Sequence, residues 1–157
     1  MILAALLLQV TPVQPLPRAT PLPPPDAETA AVLAPIGRMF AALTAKDAAQ
    51  LLAQTKPEGR ATAVVAMPDG SRAIRARSWA DFASGIRDVP GTLEERLINP
   101  AVEIDGDIAM VWSPYVFLID GKLTHCGTNL FDMVRDESGW KVLNISWTQR
   151  MTDCPSP

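Results

Sequence analysis

The last third of the chain consists of long runs rich in apolar residues, separated by turn residues, a pattern that predicts an antiparallel β-meander. Ile108 to Ile119 is rich in apolar residues, and Asp120-Gly121 follows it. This pair favours a tight type I′ hairpin, in which both central residues need positive φ. Lys122 to Arg135 then returns as a second strand, and a turn at 136–139 leads to a third strand over 140–150. We therefore expect three long neighbouring strands.

Helical periodicity precedes these strands. Asp26 is a candidate N-cap for a first helix, because apolar residues recur after it every three or four positions. These residues are Val32, Leu33, Ile36, Phe40 and Leu43. Pro35 removes a backbone donor, so either this helix bends there or an inner helix begins at Pro35. Asp47 with Gln50 predicts the start of a second short helix, which runs through Ala53.

The middle of the chain predicts a hairpin and a third helix. Arg60 to Met67 and Arg72 to Arg77 flank the turn residues Pro68 to Ser71, so we expect two paired strands. Ser78 is a candidate cap for the helix that follows. Its apolar stripe consists of Trp79, Phe82 and Ile86.

Two short strands, at Leu93–Ile98 and Val102–Ile104, complete the pattern. Helices come first, and the long antiparallel strands come last, an order that is typical of the α+β class. A long twisted sheet with helices on one side curls around them. We therefore predict a curved antiparallel sheet wrapped on N-terminal helices, with a pocket inside the curve.

The N-terminus differs in composition from the rest of the chain. Met1 to Leu8 is almost entirely apolar but too short to span a bilayer, and seven of the fifteen prolines lie between Pro12 and Pro25. We predict a signal-like segment and Pro-rich linker over 1–25, a folded domain over 26–154, and a periplasmic or secreted protein. No basic residue precedes the apolar stretch and no small-x-small cleavage site follows it, so a cytoplasmic protein with an irregular N-terminus is the alternative.

Charge and length exclude several classes of partner. The chain has 157 residues, about one domain, and a formal net charge of −3. Nucleic-acid binding requires a concentrated basic face, and Arg72, Arg75 and Arg77 are better explained as the solvated face of a strand. We therefore predict neither nucleic-acid binding nor a stable membrane span.

The small number of cysteines and histidines limits the chemistry that the chain can perform. These residues are Cys126, Cys154 and His125. In an oxidising compartment the two cysteines would form a disulfide that ties the C-terminal tail to the central hairpin, and two unpaired thiols are the alternative. His125 is the only histidine, which excludes a metal site built on several imidazoles. Neighbours in a strand point to opposite faces, which excludes a nucleophile pair of Cys126 and His125. We expect His125 at the rim of the sheet, hydrogen-bonded to backbone or solvent. We predict no metal and no cofactor.

Four segments of the chain resemble the nuclear transport factor 2-like superfamily, in particular its exported bacterial members of the SnoaL-like, lumazine-binding group. They are Val102–Trp112, Asp120–Gly127, and Gly139–Val142 together with Trp147–Arg150. The resemblance covers roughly residues 26–154. It implies a cone made of a curved sheet around three helices, and a homodimer formed through the outer sheet face. It implies no particular activity, because fold carries little functional information.

The hairpin registers predict which residues face the interior of the cone. If 119 pairs with 122 and 135 with 140, one face carries Ala109, Val111, Ser113, Tyr115, Cys126, Thr128, Leu130, Asp132, Val134, Lys141, Leu143, Ile145, Trp147 and Gln149. We predict that Tyr115, Thr128, Trp147 and Gln149 bind a small apolar or aromatic molecule. A solid core is the alternative. The other face, with Met110, Trp112, Phe131 and Met133, suits a dimer surface. A bulge would exchange the faces.

Asp132 is the sharpest catalytic candidate on the predicted inner face. A carboxylate among aliphatic side chains could act as a general base, and Tyr115 could donate to a developing oxyanion. An ion pair between Asp132 and Lys141 explains the same carboxylate without catalysis. The sequence therefore leaves three functions open: a ligand-binding domain, which we prefer; a cofactor-free isomerase, cyclase or hydrolase; and a purely structural dimerising module.

Overall fold

The computed structural model describes residues 26–67 and 69–155. The predicted signal-like segment and linker lie outside the described residues. The helices are α1 (Ala27–Ala45), α2 (Ala48–Leu52) and α3 (Trp79–Gly85), and a 3₁₀ turn at Ile86–Asp88 extends α3. The strands are β1 (Arg60–Ala66), β2 (Arg72–Ser78), β3 (Leu93–Leu97), β4 (Ala101–Asp105), β5 (Ile108–Ile119), β6 (Lys122–Asp136) and β7 (Gly139–Gln149). Within the described ranges, no helix has the length and apolar character of a membrane span.

The three helices begin at the polar residues that the sequence indicates. The side chain of Asp26 accepts a hydrogen bond from the backbone N–H of Thr29, and Asp47 caps α2 in the same way. Ser78 Oγ caps α3. Each cap satisfies a backbone donor that the first turn of a helix leaves free. Pro35 lies inside α1, which is a single helix rather than two.

The strands form one sheet in the order β2-β1-β7-β6-β5-β3, and β4 also pairs with β5. Asp120 and Gly121 both have positive φ, as the predicted hairpin requires. The α+β class and the curved, mainly antiparallel sheet are confirmed. The sequence did not predict the parallel pairing of β1 with β7, which brings the first hairpin beside the meander.

Two β-bulges change the predicted register of the meander. Near its hairpin, β5 pairs with β6 as predicted, but Phe117 pairs with His125 and Leu118 with Leu123, so Thr124 is an extra residue. Similarly, Met133 pairs with Val142 but Asp132 pairs with Asn144, which makes Leu143 an extra residue in β7. Each extra residue shifts the pairing by one position and moves the following side chains to the opposite face.

The first bulge makes the predicted inner face wrong for β6. The face that packs on the helices, called the inner face below, carries Tyr115 and Phe117 from β5 and His125, Asn129, Phe131 and Met133 from β6. Cys126, Thr128, Leu130, Asp132 and Val134 lie on the opposite, outer face. The second bulge brings Ile145, Trp147 and Gln149 back to the inner face, whereas Lys141 is outside. Phe131 and Met133 are therefore core residues, not part of a dimer surface.

The main hydrophobic core lies between α1 and the inner face. Val32 and Ile36 on α1 pack in one cluster with Val111, Phe131 and Val142 of the meander, and all five are almost fully buried. Phe40 adds a tilted ring pair with Phe131, at 6.2 Å between centroids. This core fills one end of the curved sheet and leaves space near the other end, beside α3.

The C-terminal tail covers part of the outer face. Cys126 and Cys154 form a disulfide, the pairing that the sequence left open. Arg150 also exchanges two backbone hydrogen bonds with Cys126, of 3.0 and 2.9 Å. A second small cluster of Val116, Leu118 and Cys126 is buried beneath this tail.

Candidate functional site

A cavity of about 190 Å³ lies between the inner face and α3, and it is called the inner cavity below. Its walls are mostly apolar. Four aromatic side chains line it: Phe82, Tyr115, Phe117 and Trp147. Five polar side chains also border it: Arg77, Glu95, His125, Asn129 and Gln149. The combination of apolar walls and a few polar groups is typical of small-molecule sites.

The aromatic rings pack against one another in defined geometries. His125 stacks on Phe117, with ring centroids 4.6 Å apart, and Tyr115 meets the edge of the same imidazole at 5.9 Å. Phe82 on α3 contacts Trp147 on β7 edge to face at 6.1 Å. Edge-to-face and stacked arrangements are the favourable ones for aromatic pairs, so these rings stabilise the lining of the cavity.

The bulge in β7 anchors the helix that covers the cavity. Leu143 is the extra residue, and its carbonyl accepts a hydrogen bond of 2.8 Å from Trp79 Nε1 at the start of α3. A bulge leaves backbone groups outside the regular ladder, and this one supplies an acceptor for a buried indole. Phe82, one turn later on α3, is thereby held over Trp147.

Tyr115 is fixed at the base of the cavity. Its hydroxyl donates to the carbonyl of Thr148 at 3.1 Å, and the residue is 1 % exposed. The same carbonyl lies so close to Gly127 that a Cβ there would be 1.8 Å away, so only glycine fits. Burial, and then the nearby Glu95 carboxylate, raise the pKa of Tyr115. Its proton already has an acceptor, which does not suit the predicted role as donor to an oxyanion.

Glu95 is the most unusual polar group of the cavity. It lies on β3, and its Oε1 accepts a hydrogen bond of 2.6 Å from Asn129 Nδ2. The residue keeps some accessible surface along the cavity, but its carboxyl group lies deep enough that burial raises its pKa to about 7. The bond from Asn129 only partly opposes this effect. Within 26–67 and 69–155, no Lys, Arg or His forms a salt bridge with it.

His125 is a wall of the cavity rather than a rim residue. Burial lowers the pKa of its imidazole to about 4, so the ring is neutral at pH 7. No described residue forms a hydrogen bond with its nitrogens, one of which carries a proton in the neutral ring.

The structure brings together three of the four predicted ligand-binding residues. Tyr115, Trp147 and Gln149 line the inner cavity, and their role as ligand contacts stays a prediction. Thr128 lies on the outer face, where its backbone N–H donates to Thr148 Oγ1 at 3.0 Å. The bulge at Thr124 is the physical reason for this error.

Asp132 lies far from the predicted chemistry. It is exposed on the outer face, where it accepts a 3.2 Å hydrogen bond from Asn144 Nδ2. The predicted catalytic pair of Asp132 and Tyr115 is therefore wrong, because the two side chains are on opposite faces of the sheet. The alternative ion pair is also wrong, since Lys141 donates instead to the carbonyl of Ala53 at 2.6 Å.

The sequence contained a signal for Glu95 that the interpretation missed. Leu93, Glu95 and Leu97 alternate with polar residues, so the glutamate shares a strand face with two leucines. An acidic residue on an apolar face is the pattern of an enclosed carboxylate. No comparable signal identifies Asn129 and His125, because their placement depends on the bulge.

A second, broader depression of about 510 Å³ lies where β4, β5, β6 and β7 meet. Asp132 and Val134 line it, together with the exposed residues Glu103, Ile108 and Met110. It is larger than the inner cavity, but its acidic groups are exposed to solvent. We therefore regard the inner cavity as the candidate site.

Comparison with known proteins identifies the fold. A cystatin-like protein of unknown function from Nostoc punctiforme has a TM-score of 0.64 and 11 % identity, covering 80 % of this chain and 94 % of that one. A nuclear transport factor 2-like protein from Novosphingobium aromaticivorans gives 0.61 and 18 %, covering 81 % and 83 %. A nuclear transport factor 2-like superfamily protein from Salmonella enterica gives 0.61 and 13 %, covering 82 % and 96 %.

No family model matches the sequence, and no curated protein shows significant similarity to it. Identities below 25 % show a shared fold and nothing about activity. The predicted likeness is confirmed at that level: the chain has the cystatin-like fold of the nuclear transport factor 2-like proteins.

Proposed function

We propose that the protein binds one small aromatic or apolar molecule, about the size of a single ring, in the inner cavity. The observation that carries this proposal is an enclosure of about 190 Å³ with four aromatic walls. An engineered apolar cavity of roughly 150 Å³ accommodates benzene, so the volume suits one substituted ring. Trp147, Phe82 and Phe117 offer faces and edges to such a ring.

Titration with toluene and indole by isothermal calorimetry tests this proposal. We expect saturable binding with one molecule per chain. Val89→Phe places a larger side chain at a half-buried position of the cavity wall, and it should weaken binding by about tenfold or more, because a filled site loses the contact area of the ligand. Val134→Phe makes the same change in the outer depression and is the matched control. Unchanged affinity in Val89→Phe would contradict the proposal.

A second candidate function is proton transfer, and Glu95 is the observation that favours it. A carboxyl group with a pKa of about 7 is close to the optimum for general acid–base catalysis at neutral pH. Glu95 would then take the catalytic role that the sequence interpretation gave to Asp132. 5-Nitrobenzisoxazole is an aromatic carbon acid whose deprotonation releases a coloured phenolate. If Glu95 transfers protons, the wild type should accelerate this deprotonation and Glu95→Gln should not. An equal rate in both proteins excludes it.

Export and dimerisation remain parts of the proposal. The Cys126–Cys154 disulfide supports an oxidising compartment, where such bonds persist. Ile108, Met110 and Trp112 on the outer face of β5 support self-association, because they are 60 %, 41 % and 50 % exposed in the isolated chain. The dimer would cover this row of side chains.

A further inference from the structure

We infer that the ligand of the inner cavity carries a hydrogen-bond donor on its ring, a phenolic hydroxyl or an aromatic amine, which binds the free carboxyl oxygen of Glu95. The inference rests on the proposed function and specifies its ligand class. It concerns the chemistry of one atom, Glu95 Oε2.

The Glu95 carboxyl group is only half satisfied by the protein. Asn129 Nδ2 donates to Oε1, whereas no donor from residues 26–67 or 69–155 reaches Oε2. Oε2 is also not sealed in the core: of the described side-chain nitrogen and oxygen atoms, the only buried one without a partner is Trp140 Nε1. Oε2 therefore borders accessible space, and the residue lines the cavity. A donor inside that cavity would complete the hydrogen bonding of the carboxyl group.

The neighbouring residue shows how unusual this arrangement is. Glu94 lies on the same strand but points outward, where Arg96 Nε donates to it at 2.5 Å. Carboxylates that leave water are normally paired with a cation or bound to a metal. Glu95 has neither kind of partner within the described part of the chain, where no cluster of three or more His, Cys, Asp or Glu could hold a metal ion. We assign the place of this missing partner to a donor on the ligand.

The other polar groups of the cavity define the kind of donor. An ionised carboxylate accepts hydrogen bonds and donates none, so it selects a ligand with an O–H or N–H group. The Tyr115 proton is already engaged by Thr148, and the Asn129 amide nitrogen by Glu95. The cavity walls are mostly apolar, and moving a charged ligand out of water against them costs free energy. A neutral ring with a hydroxyl or amino group fits these conditions.

The test compares p-cresol with p-xylene, which has a methyl group of nearly the same size in place of the hydroxyl. Calorimetric titrations at pH 8, where the Glu95 carboxyl is ionised, should show p-cresol binding about tenfold more tightly, the factor that a charge-assisted hydrogen bond supplies. Without that bond the more apolar p-xylene would bind at least as well. Equal affinities, or tighter p-xylene binding, overturn the inference and leave the proposed function intact. Absence of binding by both compounds overturns the proposed function as well.

Two glutamine variants assign the preference to one residue. Glu95→Gln keeps the shape of the side chain and an oxygen for Asn129, but it turns an amide N–H₂ toward the cavity. It should reduce the preference for p-cresol to below about twofold while p-xylene still binds. Glu94→Gln on the same strand is the matched control and should keep the tenfold preference. A preference that survives in Glu95→Gln, or disappears in Glu94→Gln, overturns the assignment.

Discussion

In a simple scaffold the inner face of the sheet is apolar and the outer face is polar. Here each of the two faces also carries residues of the opposite kind. The inner face, packed on the helices, holds an enclosed carboxyl group, an amide and an imidazole, from Glu95, Asn129 and His125. The outer face leaves Met110 and Trp112 partly exposed. Enclosed polar groups and exposed apolar ones both cost free energy in an isolated chain, and this is why we propose a partner for each face. The inner face suits a small molecule and the outer face a second copy of the chain.

The largest expected difference between the faces is in stability. Phe131→Ala removes a fully buried ring from the core, and we expect the free energy of unfolding to fall by about 3 to 5 kcal/mol. Trp112→Ala truncates a half-exposed ring on the outer face and should cost less than about 1 kcal/mol at dilute protein concentration. Urea denaturation measures both values. Equal losses would mean that the two faces are buried alike.

The disulfide should stabilise the outer face under its tail. Cys126 and Cys154 are 28 residues apart, and Cys154→Ala should lower the free energy of unfolding by roughly 2 to 4 kcal/mol, since the unfolded chain regains the entropy of the open loop. Unfolding the wild type in the presence of a strong reductant should show the same loss of unfolding free energy. A wild type that is indifferent to reductant would show that the two thiols are not bonded.

The inner face should give stability two opposing dependences on pH. The Glu95 pKa is raised from 4.5 to about 7, so the folded state holds more protons than the unfolded state between these values. This contribution therefore falls as pH rises. The His125 pKa is lowered from 6.5 to about 4, and the unfolded state holds more protons in that window, so its contribution increases with pH. The two effects oppose each other between pH 4.5 and 6.5.

Single substitutions should separate the two contributions. Relative to the wild type, Glu95→Gln should become more stable as pH increases from 4.5 to 7, because the cost of ionising Glu95 is removed. His125→Phe keeps a ring stacked on Phe117. Its stability relative to the wild type should fall as pH increases from 4 to 6.5. Denaturation at several pH values gives these differences. Parallel curves for wild type and Glu95→Gln would show that the Glu95 pKa is not raised.

Self-association through the outer face should depend on Trp112. Trp112→Asp places a charge at one end of the exposed row, and the dimer dissociation constant should increase by about tenfold or more, because the charge would have to lose its water. Sedimentation velocity over a range of concentrations measures this constant. Lys141→Ala, on the outer side of β7 and outside this apolar row, is the control. A monomeric wild type would contradict this role for the outer face.

The smallest effect is expected at Asp132. It is exposed and has one side-chain partner, Asn144, so Asp132→Asn should change the free energy of unfolding by less than about 0.5 kcal/mol. Its affinity for p-cresol should equal that of the wild type. A large loss of ligand affinity in this variant would restore the original interpretation of Asp132 as a site residue.

The elements of this fold could be predicted from the sequence, because they depend on local signals. The capping residues Asp26, Asp47 and Ser78 start the three helices, and Asp120-Gly121 makes the hairpin. The parallel pairing of β1 with β7 could not be predicted, since no local pattern specifies a distant strand partner.

The site residues could be predicted only on β5 and β7, where the predicted ligand-binding side chains face the cavity. Tyr115 is on β5, which carries no extra residue, and Trp147 lies beyond a second bulge that cancels the first, so both reach the inner cavity. Thr128 and Asp132 lie between the two bulges and are displaced to the outer face. A bulge adds one residue without a distinctive sequence at Thr124 or Leu143, and this is why the faces of β6 were exchanged.

The most direct test of the inner site is to locate a bound ligand by nuclear Overhauser effects in isotope-labelled protein with unlabelled p-cresol. We predict contacts from the ligand ring protons to the side chains of Phe117 and Trp147, which both line the inner cavity. Contacts to Met110 and Val134 instead would place the ligand in the outer depression. That result would contradict the assignment of the inner face as the binding site.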